Sequence, residues 1–318
     1  MVAESPTPAV TPVGKVFTRV GRGLYVRIDV STMERREAPR APSMGGSVGA
    51  GGVRTNRRNE VDNRVVALVK DFDSYVAKFD REVPFQRKGQ WEYHRRTIDR
   101  RRELGSVDRA LDDPFFLASL YQTLGAWGVG RRGSNLIGQA EFGAALRAHR
   151  ATLVEFGGLS IEDPSLEIAD VGDVLSSLCE NLGIVDNISK IVPGSKTLHH
   201  LLPDLVPPLD RQWSGLFFMW QPSEPQKAHG RIFIDAFSRL AGVAREVQPS
   251  RLIDHRWNTS SSKVLDNALI GYCKGELEKP SRSSIAEGSA SSTFFEKGNV
   301  MSGEVSLRRR RRFFFRRR

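Results

Sequence analysis

Cysteine is almost missing from this sequence: 318 residues hold two, Cys179 and Cys273, and a disulfide framework needs more. Each lies inside a helix-like pattern, so both are expected to be buried thiols. Long apolar runs are missing too. The longest, around Leu216 to Trp220, is far short of the ~20 residues that cross a bilayer, and no apolar segment follows the opening Met-Val-Ala-Glu-Ser-Pro-Thr-Pro. No membrane partner is expected, and the expected location is cytoplasmic. His-x-x-x-His spacing is absent. His199 and His200 are neighbours that would point about 100° apart on a helix, with no cysteine near them, so no metal site is expected. Gly128-x-Gly130-Arg131-Arg132-Gly133 follows a helical pattern rather than a strand, which excludes a dinucleotide fingerprint, and no cofactor is expected.

Large side chains are scarce at both ends. Residues 41–54 offer almost nothing large to bury, and 279–312 are mostly Ser, Gly and charge; such segments do not offset the entropy of ordering their backbone. The basicity is concentrated there as well. The net charge is +11, but 308–318 hold eight arginines and no acid, and 1–58 hold ten basic and four acidic side chains. Residues 59–307 keep 30 basic against 33 acidic side chains, a net of −3, so the global charge says little about the middle of the chain. The expected organisation is a disordered or mis-assigned N-terminal extension over 1–58, an all-α domain over 59–278, and a disordered basic tail over 279–318. Within the extension, Val26, Ile28 and Val30 alternate with Arg27 and Asp29, which allows a short strand or hairpin over 16–30.

From Asn59 the apolar period is helical. Val65, Val69, Phe72, Val76 and Phe79 recur at four-and-three spacing as one helix, which Pro84 ends. Asp113-Pro114 supplies a cap and a first-turn proline for a face of Phe116, Leu117, Leu120, Tyr121, Leu124 and Trp127. Phe142, Ala145, Leu146, His149, Leu153 and Phe156 predict a third helix, and Val171 to Leu182 a fourth that stops at Gly183. Ile232, Phe233, Ala236, Phe237 and Leu240 share one side of a later helix, and the Ser260-Ser261-Ser262 cluster caps a last one carrying Val264 to Tyr272. The predicted fold class is an all-α, single multi-helix domain, with Trp127 and Phe237 largely buried.

Two features point to nucleic acid. Residues 86–103 set Arg87, Lys88, Arg95, Arg96 and Arg100 to Arg102 among Trp91 and Tyr93, cations that track phosphate and rings that stack on bases; Glu92, Asp99 and Glu103 interrupt the run, as in a solvated helix face. The Gly-rich turn carrying Arg131 and Arg132 is a candidate anion cradle.

The densest chemistry lies in 187–213. It reads as a Pro193-Gly194 turn, a two-turn helix capped by Ser195, and an extended piece in which Pro207 and Pro208 hold Asp210 and present Arg211. A carboxylate so held is either a helix cap or a functional acid. The run Ser195-Lys196-Thr197-Leu198-His199-His200-Leu201-Leu202-Pro203-Asp204, then Pro207-Pro208-Leu209-Asp210-Arg211, resembles the central motif of a family of uncharacterised bacterial proteins. Trp257-Asn258-Thr259 and Leu124 to Arg132 are similar to its flanking motifs, and the likeness covers about 59–275. More distantly, the order is similar to helix-hairpin-helix DNA glycosylases. That resemblance implies a helix-hairpin-helix glycosylase-like fold, Pro193, Gly194 and Ser195 at a phosphate-binding hairpin, Lys196 as the lysine that attacks the sugar, Asp210 as the catalytic aspartate, and DNA as partner. The hairpin's second glycine is missing, since Ser195 and then Lys196 follow Gly194, and the lysine-to-aspartate spacing is shorter than is usual there. Two cysteines exclude an iron–sulfur version. The other expectation is a non-catalytic interaction or defence-associated protein.

Overall fold

The computed structural model describes residues 15–20, 24–29, 50–82, 85, 89–130, 135–227, 229–254 and 256–278. Two strands, β1 (Lys15–Val20) and β2 (Leu24–Asp29), pair antiparallel with Lys15 opposite Asp29 and Val20 opposite Leu24. The described chain is otherwise mainly helical: α1 (Ala50–Lys70), α2 (Phe72–Arg81), α3 (Gln90–Leu104), α4 (Val107–Asp112), α5 (Pro114–Ala126), α6 (Gln139–Arg147), α7 (Arg150–Glu155), α8 (Ile168–Asn181), α9 (Ile191–Leu201), α10 (Trp213–Phe217), α11 (Glu224–Lys227), α12 (His229–Val247) and α13 (Ser261–Tyr272). These residues fall within one compact unit, 1–279. The hairpin falls on the stretch whose alternation allowed one, α1 begins at Ala50, ahead of the start at 59 expected for the helical domain, and the expected basic tail lies outside the described residues.

Local chemistry explains several helix starts. Ser106 and Ser260 accept the backbone N–H of Arg109 and Lys263, and Asp113 accepts that of Phe116 ahead of Pro114; each satisfies a first-turn donor that has no partner inside the helix. Two predicted helices are each two. The apolar face runs unbroken through Leu68, Phe72, Val76 and Phe79, all buried, but the helix is interrupted at Asp71. The stripe from Phe142 to Phe156 breaks at His149, whose Nε2 lies 2.9 Å from the Asn181 carbonyl.

α13 lies at the centre, with every residue buried. It packs chiefly on α2, while α12 packs on α8, α3 on α5, and α9 on α8. Two glycines set the closest approaches. A Cβ at Gly271 would collide with the Tyr75 carbonyl, and one at Gly194 would stand 2.7 Å from the Cα of Cys179. Ile232, Phe233, Ala236, Phe237 and Leu240 are all buried, as are both free cysteines. Phe237 is fully enclosed, whereas Trp127 keeps part of its surface exposed.

Candidate functional site: a lysine and aspartate cavity

The Pro193-Gly194 turn expected from the sequence is not a turn. α9 begins at Ile191 and runs through both residues, with the Gly194 N–H donating to the Lys190 carbonyl at 2.8 Å. Proline fits there because the first four N–H groups of a helix have no intrahelical partner. Gly194 is spent on contact with α8, and Ser195 is fully buried: its hydroxyl donates to the Val192 carbonyl and accepts the Leu209 N–H at 3.1 Å. Neither can reach a phosphate, which corrects their expected role. Ser195 instead pins the proline-held piece onto α9. Ser262 holds the other end of that piece by hydrogen-bonding the Pro203 and Val206 carbonyls.

Asp210 emerges from this clamp. Its Oδ1 accepts the Trp213 N–H at 2.6 Å and its own N–H donates to Ser214 Oγ at 3.0 Å, a reciprocal cap on α10. Lys196, one turn into α9 and half-buried, donates from Nζ to the Trp127 carbonyl at 3.2 Å. Both residues border one cavity of about 380 Å³, together with Trp127, Trp213, Lys263 and Asp266. Burial pushes the Lys196 amine below its ordinary value, Lys263 adds to that, and the carboxylates of Asp210 and Asp266 oppose it. Such an amine keeps a larger unprotonated fraction, the form that attacks a carbonyl carbon.

Behind Trp127 sits a cluster of three buried histidines. His94 Nδ1 lies 3.0 Å from His200 Nε2, and His94 Nε2 lies 2.9 Å from Thr259 Oγ1. His94 stacks on Trp127 with ring centroids 5.0 Å apart. His199 donates from Nδ1 to the Val206 carbonyl, and its Nε2 is buried without a hydrogen-bond partner. Among the described residues no three His, Cys, Asp or Glu side chains form a metal-ligand set, and no helix is long and apolar enough to cross a membrane.

Comparison with protein families, characterised proteins and solved structures finds no match to this chain.

The basic stretch of α3 is largely an internal clamp. Arg101 donates to the Leu201 carbonyl at 2.9 Å, Arg102 to the Thr259 carbonyl, and Arg100 pairs with Asp113 and Glu103. Arg95 and Arg96 are exposed, with Arg96 over the Tyr93 ring and bonded to Ser119 and Gln122. Arg211 is exposed at the cavity and donates to Ser189 Oγ. Arg131, Arg132, Arg87 and Lys88 lie outside the described residues.

Sequence reasoning missed the deepest part of the site. Lys263 is 3% exposed, and its Nζ donates to Asp266 Oδ2 and Asn267 Oδ1, each at 2.6 Å. The ammonium lies 5.3 Å from the Phe79 ring centroid, 5.5 Å from that of Phe85 and 5.9 Å from that of Trp127. Asn267 continues to Asn258, and Asn258 to Asp80 and Asp254. Burial raises the Asp266 carboxyl, Lys263 opposes the shift, and Asp210 adds to it. The available signal was Lys263, Asp266 and Asn267 at i, i+3 and i+4, one polar face on a helix with no exposed side.

Proposed function

We propose that this chain is a cytoplasmic, nucleic-acid-binding helical domain with glycosylase-like chemistry, in which Lys196 is the nucleophile and Asp210 the assisting carboxylate. One observation carries the reading: Lys196 and Asp210 border the same cavity, and burial depresses the Lys196 amine. The rings of Trp127 and Trp213 on its wall suit an unstacked base, and Arg211 at its mouth suits the phosphate beside it. At an abasic site the unprotonated amine adds to the sugar aldehyde, water leaves, and an imine forms. Asp210 stabilises the cation that develops there. The likeness is in chemistry and helical content, since the Pro193-Gly194 hairpin is absent.

Titration of the full chain against intact and abasic duplex DNA at low salt, with borohydride added to reduce the imine, tests this. The expected result is a covalent adduct on the peptide carrying Lys196. No affinity for either duplex, where phosphate contacts are strongest, would remove the reading. A second reading is a non-catalytic interaction or defence-associated protein. It is favoured by the 2.6 Å bond from the Trp213 N–H to Asp210, which gives that carboxylate a structural task.

A further inference from the structure

The cavity has a graded wall. Lys263 and Asp266 are 3% and 6% exposed, while Arg211 and Gln212 are exposed and Lys274 is half-buried. Depth therefore separates two kinds of polar group. The buried pair offers an ammonium donor and a carboxyl side by side. The outer groups offer a guanidinium and an ammonium. Three aromatic rings share the wall, Phe85 and Trp127 beside Lys263 and Trp213 beside Lys274.

The charge balance has a sign. Four basic side chains, Lys196, Arg211, Lys263 and Lys274, face two acidic ones, Asp210 and Asp266, an excess of two positive charges. Moving a proton from Lys196 to Asp266 leaves that excess unchanged. Lys274 is 3.4 Å from Glu82, but Glu82 also pairs with Lys78 at 2.6 Å, so one carboxylate is shared by two ammonium groups. The cavity therefore attracts an anion. A buried ion pair adds little stability over apolar residues of the same volume. Lys263 and Asp266, set in the middle of a helix with no exposed side, are thus better explained by what fills the cavity than by the fold.

The geometry points to a free nucleoside 5′-monophosphate as a ligand of this cavity, its base edge on Lys263 and Asp266 between the aromatic rings and its phosphate on Arg211 and Lys274. A donor next to an acceptor matches the edge of a nucleobase, and the rings supply stacking that every base accepts. Guanidinium and ammonium groups at the mouth suit a phosphate. The volume of about 380 Å³ lies in the range of small-molecule sites. The inference rests on the reading of the cavity as a nucleotide site, but not on DNA binding or on lysine chemistry.

Calorimetric titration of the full chain with the four ribonucleoside 5′-monophosphates, their nucleosides and inorganic phosphate tests it. At least one monophosphate is expected to bind about tenfold or more tighter than its own nucleoside and than inorganic phosphate. Arg211→Gln, at an exposed position, should weaken the monophosphate about fivefold or more and leave the nucleoside unchanged. Asp266→Asn, which keeps an acceptor for Lys263, should change the order of preference among the four bases. Absence of binding at millimolar concentration, or equal binding of phosphate alone, overturns the proposal. Monophosphate binding without DNA binding removes the nucleic-acid reading and keeps this one; DNA binding without monophosphate binding does the reverse.

Discussion

His94 and His200 share one proton position. His200 Nδ1 is 2.7 Å from the Lys196 carbonyl, which only accepts, so the His200 proton is on Nδ1 and its Nε2 is a lone pair. His94 must then donate from Nδ1 to that lone pair, and its own Nε2 must accept from the Thr259 hydroxyl. Burial disfavours the charged form of both rings, and with both neutral the chain from Thr259 to Lys196 has one direction.

Neutral buried histidines make stability fall in acid. Burial pushes His200 down from 6.5 to about 4, and His94 and His199 well below 6.5. Groups with depressed folded values stabilise fully above the unfolded value, here 6.5, and lose that contribution as pH falls toward the folded value. From pH 6.5 to 4 the unfolded chain binds protons that the folded chain refuses, and His200 alone accounts for roughly 3 kcal/mol of lost stability. Asp80 and Asp266, whose carboxyls burial pushes up, run in the opposite sense. Urea denaturation at pH 7, 5.5 and 4.5 should show the decline, and His200→Gln should flatten it by a similar amount. A variant whose decline matches the parent's would show that the cluster does not carry the effect.

Close packing predicts a severe effect from one methyl group. A Cβ at Gly194 would stand 2.7 Å from Cys179 Cα and 2.8 Å from its carbonyl oxygen, both backbone atoms of α8. Gly194→Ala should cost about 1–3 kcal/mol or more through overpacking, read as a lower denaturation midpoint with an unchanged slope. Gly242, with no atom within 4 Å of the added methyl, lies in the interior of α12, and Gly242→Ala should be neutral or stabilising there by up to ~1 kcal/mol.

What was legible in the sequence was local. Asp113-Pro114 and Ser260 act within four residues of themselves, so their caps could be read directly. The Ile232 to Leu240 face could be read because its period matches the helix. The break at Asp71 could not, since the apolar period continues across it. Pro193-Gly194 misled because proline and glycine mark turns, yet here proline occupies a helix's first turn and glycine serves a neighbouring helix. Lys196 and Asp210 stood out in one segment. Lys263 and Asp266 did not, because their meaning depends on burial from all sides, which no local pattern records.

The buried ion pair can be separated from the fold by a double change. Lys263→Met leaves Asp266 buried beside an apolar chain and should cost about 3–5 kcal/mol. Adding Asp266→Leu removes the orphaned carboxyl and should restore much of that loss, measured by the same denaturation curves. Restored stability without nucleotide affinity would assign the pair to the cavity. Failure of the second change to restore stability would make Lys263 a packing residue, held by the Phe79, Phe85 and Trp127 rings.

Asp210 caps α10, the proposed chemistry would give it a second task, and one substitution divides the two. As a cap it needs only an oxygen at Oδ1 to accept the Trp213 N–H, and asparagine supplies one in nearly the same place. As the acid beside Lys196 it needs its negative charge, which asparagine lacks. Asp210→Asn should therefore fold with a stability within about 1 kcal/mol of the parent and bind abasic DNA with similar affinity. Its charge also opposes the depression of the Lys196 amine, so removing it should leave that amine more often unprotonated. On the catalytic reading, faster attack would then accompany loss of the charge proposed to stabilise the developing cation. Borohydride trapping timed across a pH series separates the two effects. If the carboxylate acts on the sugar, the adduct should form at least about tenfold more slowly at every pH, as expected for loss of a group that assists in the transition state. If Asp210 only caps α10, adduct formation should be unchanged or faster, with its pH midpoint moved downward, and the carboxylate would belong to the fold alone.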